Sequence, residues 1–75
     1  MTLTDCKKKL KYLVIKVNTT GSLKQRLLSF GFMKGTIVEY ISSTNMKNTY
    51  QIKVDKMKIA LRQEEAEKIE VKLIL

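Results

Sequence analysis

A mainly β fold, a small and strongly bent barrel of about five strands, is predicted for this 75-residue chain. Three observations predict it. Five short apolar runs carry the period-two patterning of half-buried strands. The connections between them are tight. A helix over residues 22–30 lies between the first and second strands and is too short to be stable alone, so it must be clamped onto a sheet. A second, shorter helix precedes the last strand. A bent sheet of this kind leaves few open edges.

The elements follow in order. Residues 1–9 lead in, and Thr4-Asp5 can begin a single helical turn. Leu10 to Val17 is the first strand, with Leu13, Ile15 and Val17 facing one way and Tyr12 and Val14 the other. Apolar residues on both faces imply partial cover on both or a bulge. After the polar turn Asn18-Thr19-Thr20-Gly21 comes the helix. Ser22 is placed to cap its first turn and Gln25 to reach back. Leu23, Leu27 and Leu28 give it an apolar stripe and are read as core. Gly31 sits where a left-handed residue ends the helix, and Phe32 where a contact back to Leu27 is expected. Gly35 supplies the positive φ of a second turn.

Thr36 to Ser42 is the second strand, with Ile37 and Ile41 on one face and Val38 and Tyr40 on the other. A loop over 43–48 follows. Tyr50, Ile52 and Val54 then point inward between Gln51 and Lys53. Met57, Ile59 and Leu61 repeat the period across a two-residue Asp55-Lys56 hairpin turn. Lys56 is poorly suited to a position needing positive φ, at a cost of about 1 kcal/mol relative to glycine. Gln63 to Lys68 makes one or two helical turns. Glu64 and Glu65 suit their positive end, Ala66 is the small inward contact, and Glu64, Glu65 and Glu67 form a solvated face. Ile69, Val71 and Leu73 form the last strand.

Length allows one domain, residues 1–75, and a thin core, since a chain of this size buries only about 60% of its unfolded surface. Cys6 is the single cysteine and there is no histidine. A disulfide within the chain is thereby excluded, and a structural zinc site lacks a ligand set. The same lack removes Ser/His and Cys/His nucleophile systems. Paired carboxylates for acid–base work would need a cleft that a self-filled barrel hardly offers. The expectation is no enzyme, no cofactor and no metal site. Lys7, Lys8, Lys9 and Lys11 interrupt the start of the chain, no signal peptide is legible, and no apolar run approaches the roughly 20 residues of a membrane span. A cytoplasmic protein is expected. A chain that starts at Met1 with a complete lead-in reads most simply as a stand-alone product.

The net charge is +8, from 15 basic and 7 acidic residues. Residues 1–62 hold 13 basic and 3 acidic groups, while residues 63–75 hold 2 and 4. Such a chain associates with anionic surfaces at low salt, and charge alone does not select nucleic acid, lipid or an acidic protein face. Gly31 and Gly35 answer to backbone geometry, with no glycine-rich phosphate loop behind a strand.

Two blocks of residues carry a family resemblance. Leu23, Arg26, Leu27, Gly31, Phe32 and Gly35 fall on or near a pattern of helix, glycine stop and turn. Ile59-Ala60-Leu61-Arg62, Glu65-Ala66 and Ile69-Glu70-Val71 form a closing block. In this order, over roughly residues 3–73, the chain resembles the ferrous iron transport protein A (FeoA) family. It departs from that pattern in turns: Lys8-Lys9 and Lys34 stand where proline and glycine are usual, the 44–48 loop differs, and Lys56 replaces a turn glycine.

The resemblance implies an SH3-like barrel and a cytosolic accessory protein of bacterial ferrous iron uptake. Its implied partner is the FeoB-type membrane transporter with a cytosolic GTP-binding domain, reached by protein contact and with no membrane insertion of its own. The same module occurs as the C-terminal domain of metal-dependent repressors. On this reading Lys24, Arg26 and Lys34 form a basic edge, with Met33 beside it, that meets an acidic face of the partner. The alternative is a small basic nucleic-acid-binding barrel. It requires aromatics displayed for stacking, and Tyr12, Tyr40 and Tyr50 lie in alternations that predict burial.

Overall fold

Period-two patterning builds one antiparallel sheet: β1 (Lys11–Val17), β2 (Ile37–Ser43), β3 (Thr49–Val54), β4 (Met57–Arg62) and β5 (Ile69–Ile74). A 3₁₀ turn (Leu3–Asp5) precedes β1, helix α1 (Gly21–Ser29) joins β1 to β2, and helix α2 (Gln63–Ala66) joins β4 to β5. The computed structural model describes residues 1–44 and 49–74. The expected loop at 43–48 falls largely on positions 45–48, outside the described residues; Ser43 itself closes β2. Across the sheet the order is β4-β3-β2-β1-β5. The mainly β expectation, with its helix after the first strand and its short helix before the last, is what the chain adopts.

One apolar core joins all five strands, with Leu27, Phe32, Ala66 and Leu3 sealing it. Tyr50, Ile52 and Val54 point inward as their alternation requires. In β1 the core residues are Tyr12, Val14 and Val17, an irregular set explained by a bulge. Val14 pairs with Val71 and Lys16 with Glu70, leaving Ile15 as the surplus residue. That one extra position switches the phase, so Val17 joins the face of Val14. In β2 a second shift, between Tyr40 and Ser42, makes Ile41 surplus in the same way.

The N-terminal segment straps the outer edge of β5. Val71 N–H donates to the Met1 carbonyl at 2.8 Å, Thr2 bridges to Glu70, and Leu3 is fully buried. The helical turn expected near Thr4-Asp5 is present, closed by Thr2 N–H donating to Asp5 Oδ2 at 2.9 Å.

Helix α1 ends as its sequence dictates. Phe30 is the C-cap and Gly31 follows with φ of 100°. Phe32 N–H donates to the Leu27 carbonyl at 3.1 Å and Gly31 N–H to that of Leu28 at 2.9 Å, the paired bonds of a Schellman end. Leu27 and Phe32 are both fully buried, so the expected hydrophobic contact has its place in the core.

Four local expectations are corrected. The N-cap of α1 is Thr20, without a side-chain bond, so Ser22 is not the cap. Leu28 is exposed because it lies one residue, about 100°, round the helix from Leu27. Met57 and Leu73 are also exposed: Met57 directly follows the two-residue hairpin turn, where it pairs with Val54, and Leu73 is the next-to-last residue of β5. In the Asp55-Lys56 turn the left-handed residue is Asp55, at φ 56°, and not Lys56. Aspartate tolerates that region better than lysine, which relieves the expected strain. Lys9, in the lead-in turn, does adopt positive φ, at 66°.

Candidate functional site

The residues expected to meet a partner divide when placed on the structure. Lys24 lies on the solvent side of α1, and Met33 and Lys34 lie in the turn that leaves it; all three are exposed. With Leu28 of α1 and Ile15, Lys16 and Val17 of β1 they line one groove of about 220 Å³. Four of its lining residues are apolar, three are lysines, and no carboxylate lines it. The β1 bulge explains why a strand can present Ile15 here. An extra residue with no cross-strand partner is free to face the helix side while Val14 and Val17 turn to the core.

Arg26, expected on the same edge, is committed elsewhere. Its Nη1 donates to Glu65 Oε2 at 2.6 Å, and its guanidinium carbon sits 5.5 Å from the centre of the Phe30 ring. Glu65 is the finding that sequence reasoning missed. Instead of lying on a solvated face it is 5% exposed. Its Oε1 accepts the Arg62 backbone N–H at 2.9 Å, capping α2, while Oε2 receives Arg26. One buried carboxylate thus closes the start of α2 and ties it to α1. Local patterning could not reveal this, because the two partners are 39 positions apart.

Of the apolar lining residues, Leu28 was expected in the core and is exposed, while the apolar residues on both faces of the first strand already implied partial cover or a bulge, and the bulge at Ile15 is present.

Other surfaces have different chemistry. A larger open groove is lined by Thr49, Arg62, Gln63, Glu64 and Glu67, with charges of both signs. Tyr12, Tyr40 and Tyr50 are all buried, and the Tyr40 and Tyr50 rings pack edge to face at 6.1 Å. None of the three is displayed for base stacking. Among the described residues no group of three or more Cys, Asp or Glu side chains is placed to hold a metal ion. Cys6 is half-buried, and its thiol donates to the Thr2 carbonyl at 3.7 Å. Burial is the main cause that raises its pKa from 9.0 to about 11, offset in part by a hydrogen bond from Tyr12. The thiol is therefore neutral, and a weak nucleophile, near neutral pH. Among the described residues no helix is long and apolar enough to cross a membrane.

Against known proteins, the family model described as "FeoA domain" matches residues 1–73. A Campylobacter jejuni protein named Fe(2+) transport protein A is 39% identical over 74 residues, covering 99% of this chain and 100% of its own length. Two solved structures superpose closely. The solution structure of iron(II) transport protein A from Clostridium thermocellum has a TM-score of 0.94 at 24% identity, covering 99% of this chain; this chain spans 46% of that one. The Stenotrophomonas maltophilia FeoA, crystallised with zinc and described as a prokaryotic SH3 domain protein, has a TM-score of 0.84 at 25% identity, covering 96% of this chain and 89% of its own.

Proposed function

Since the chain belongs to the FeoA family of small proteins related to ferrous iron transport, we propose that it is a non-catalytic accessory protein that docks on the cytosolic GTP-binding part of a FeoB-type iron transporter. It works in the cytoplasm and is held at the inner face of the membrane by that partner. Lys24, Met33 and Lys34 meet the partner. Arg26 serves the same surface indirectly, by fixing α1 to α2 through Glu65.

One observation carries this reading: an open groove lined by four apolar residues and three lysines and by no carboxylate, on a chain whose aromatic residues are almost all committed to its own core. A patch that combines exposed apolar and charged groups in this way marks a contact surface. The net charge of +8 adds steering toward an acidic partner face, an effect on association rate that fades with salt.

The test is a calorimetric titration of the whole protein with the purified cytosolic domain of the FeoB-type transporter, without nucleotide and with GDP or a GTP analogue. Saturable binding at low salt that weakens as ionic strength rises is expected. Absence of heat and of pulldown in all nucleotide states would end the proposal.

A further inference from the structure

Resting on that reading of the partner, we infer that the groove between α1 and β1 is a socket for one apolar anchor side chain flanked by carboxylates, carried on an acidic segment of the transporter's cytosolic part. Ile15, Val17, Leu28 and Met33 are the groove's apolar lining, and Leu28 and Met33 are substantially exposed for their size, at 38% and 51%. A concave apolar site accepts a side chain that projects into it. A lipid surface would be met better by apolar groups projecting outward.

Charge supplies the rest. Lys16, Lys24 and Lys34 line the same groove. An adjoining groove lined by Lys16, Val17, Asn18, Thr19, Thr20 and Lys24 extends the surface and again has no carboxylate. Glu70 stands across the strand pair from Lys16. Lys24 and Lys34 have no ion-pair partner among the described residues. Two copies of this chain meeting through this face would bring lysine against lysine. A nucleic acid would find neither an aromatic ring nor an arginine in the lining. An acidic segment with an apolar anchor satisfies both the apolar and the basic parts of this lining, and a desolvated anchor in a pocket is the arrangement that dominates binding energy at interfaces.

The experiment follows the backbone amide spectrum of the labelled full-length protein during titration with the transporter's cytosolic domain. Shifts centred on Ile15, Lys24, Leu28 and Met33 are expected. Met33→Glu should weaken affinity about tenfold or more. The double variant Lys24→Glu/Lys34→Glu should weaken it similarly and flatten its salt dependence. Gln51→Ala, at an exposed position of β3 that does not line the groove, should leave affinity within about twofold. All substitutions except the last are at exposed groove positions, and retention of the wild-type spectral dispersion verifies folding.

If the domain binds tightly but the shifts map to another face, or Met33→Glu binds as wild type, the socket is refuted while the partner reading survives. If the wild-type protein does not bind the domain at all, the partner reading fails and the socket with it. Two further outcomes would overturn the inference: Met33-dependent binding to vesicles containing phosphatidylserine, and Met33-dependent self-association in sedimentation.

Discussion

Replacing Arg26 with methionine keeps the aliphatic stem beside Phe30 but takes away the cation that Glu65 Oε2 receives at 2.6 Å. The size of the effect follows from the two environments. The Arg26 side chain is 55% exposed and that of Glu65 is 6%. A fully exposed pair is worth about 0.2–1 kcal/mol. Removing one partner of a fully buried pair costs about 3–5 kcal/mol. Here water can approach from the arginine side, and the Arg62 N–H still solvates Oε1. The loss should therefore be about 1–2 kcal/mol, or a fall in Tm of about 5–15 °C for a domain of this size. Urea and thermal unfolding of the wild type, Arg26→Met, Glu65→Gln and the double variant measure it. The cycle isolates the pair, and a coupling of about 1 kcal/mol is expected. Because Glu65 is shielded, most of that coupling should persist in added salt. A coupling under about 0.3 kcal/mol, within ordinary additivity error, would refute the clamp and leave α1 held by Leu27 and its neighbours alone.

Three further outcomes are expected. Gly31→Ala places a Cβ at φ 100° and 3.0 Å from Val54 Cγ1, and should destabilise by about 2 kcal/mol or more in urea melts; a neutral result would contradict the helix ending described above. Lys9→Gly, at φ 66°, should raise stability by up to about 1 kcal/mol, and an unchanged midpoint would place the preference of that turn elsewhere. The Cys6 thiol, with its pKa raised to about 11, should alkylate slowly at pH 8, and its reaction rate should climb with pH. The linkage has a definite sign. Folding holds the proton more tightly, so the thiol adds no pH dependence below about pH 9 and erodes stability as pH rises from there through about 11. A Cys6→Ser variant should lose that alkaline slope, and an identical slope in both proteins would assign it to other groups.

The sheet was legible wherever one residue could be read without its distant neighbours. The alternation of Tyr50, Ile52 and Val54 fixes a face by itself, and Gly31 announces the end of α1 through its backbone freedom. The surplus residues Ile15 and Ile41 were not legible individually. A bulge reveals itself in sequence only as apolar residues on both faces, and the choice between two-sided burial and a phase switch needs the pairing partner. The candidate site shows the same division. Lys24, Met33 and Lys34 could be found near one another because they flank one helix and its exit turn. Glu65 could not be found, since a four-residue helix carrying Gln63, Glu64 and Glu65 looks soluble from every side until Arg26 is brought to it by tertiary packing.

The ladder irregularity at Ile15 also bears on how such a strand can change length. Losing one amino acid from a regular strand inverts everything beyond the gap. Excising Ile15 would do the opposite: Tyr12, Val14 and Val17 would then fall in step as an unbroken two-residue rhythm, with Lys16 between the last two. The barrel would lose a wrinkle and keep its interior, while the outer hollow beside α1 would lose part of its lining. Shortening at this point separates the durability of the scaffold from the character of its outward face, so each can vary in descendants of this chain without the other.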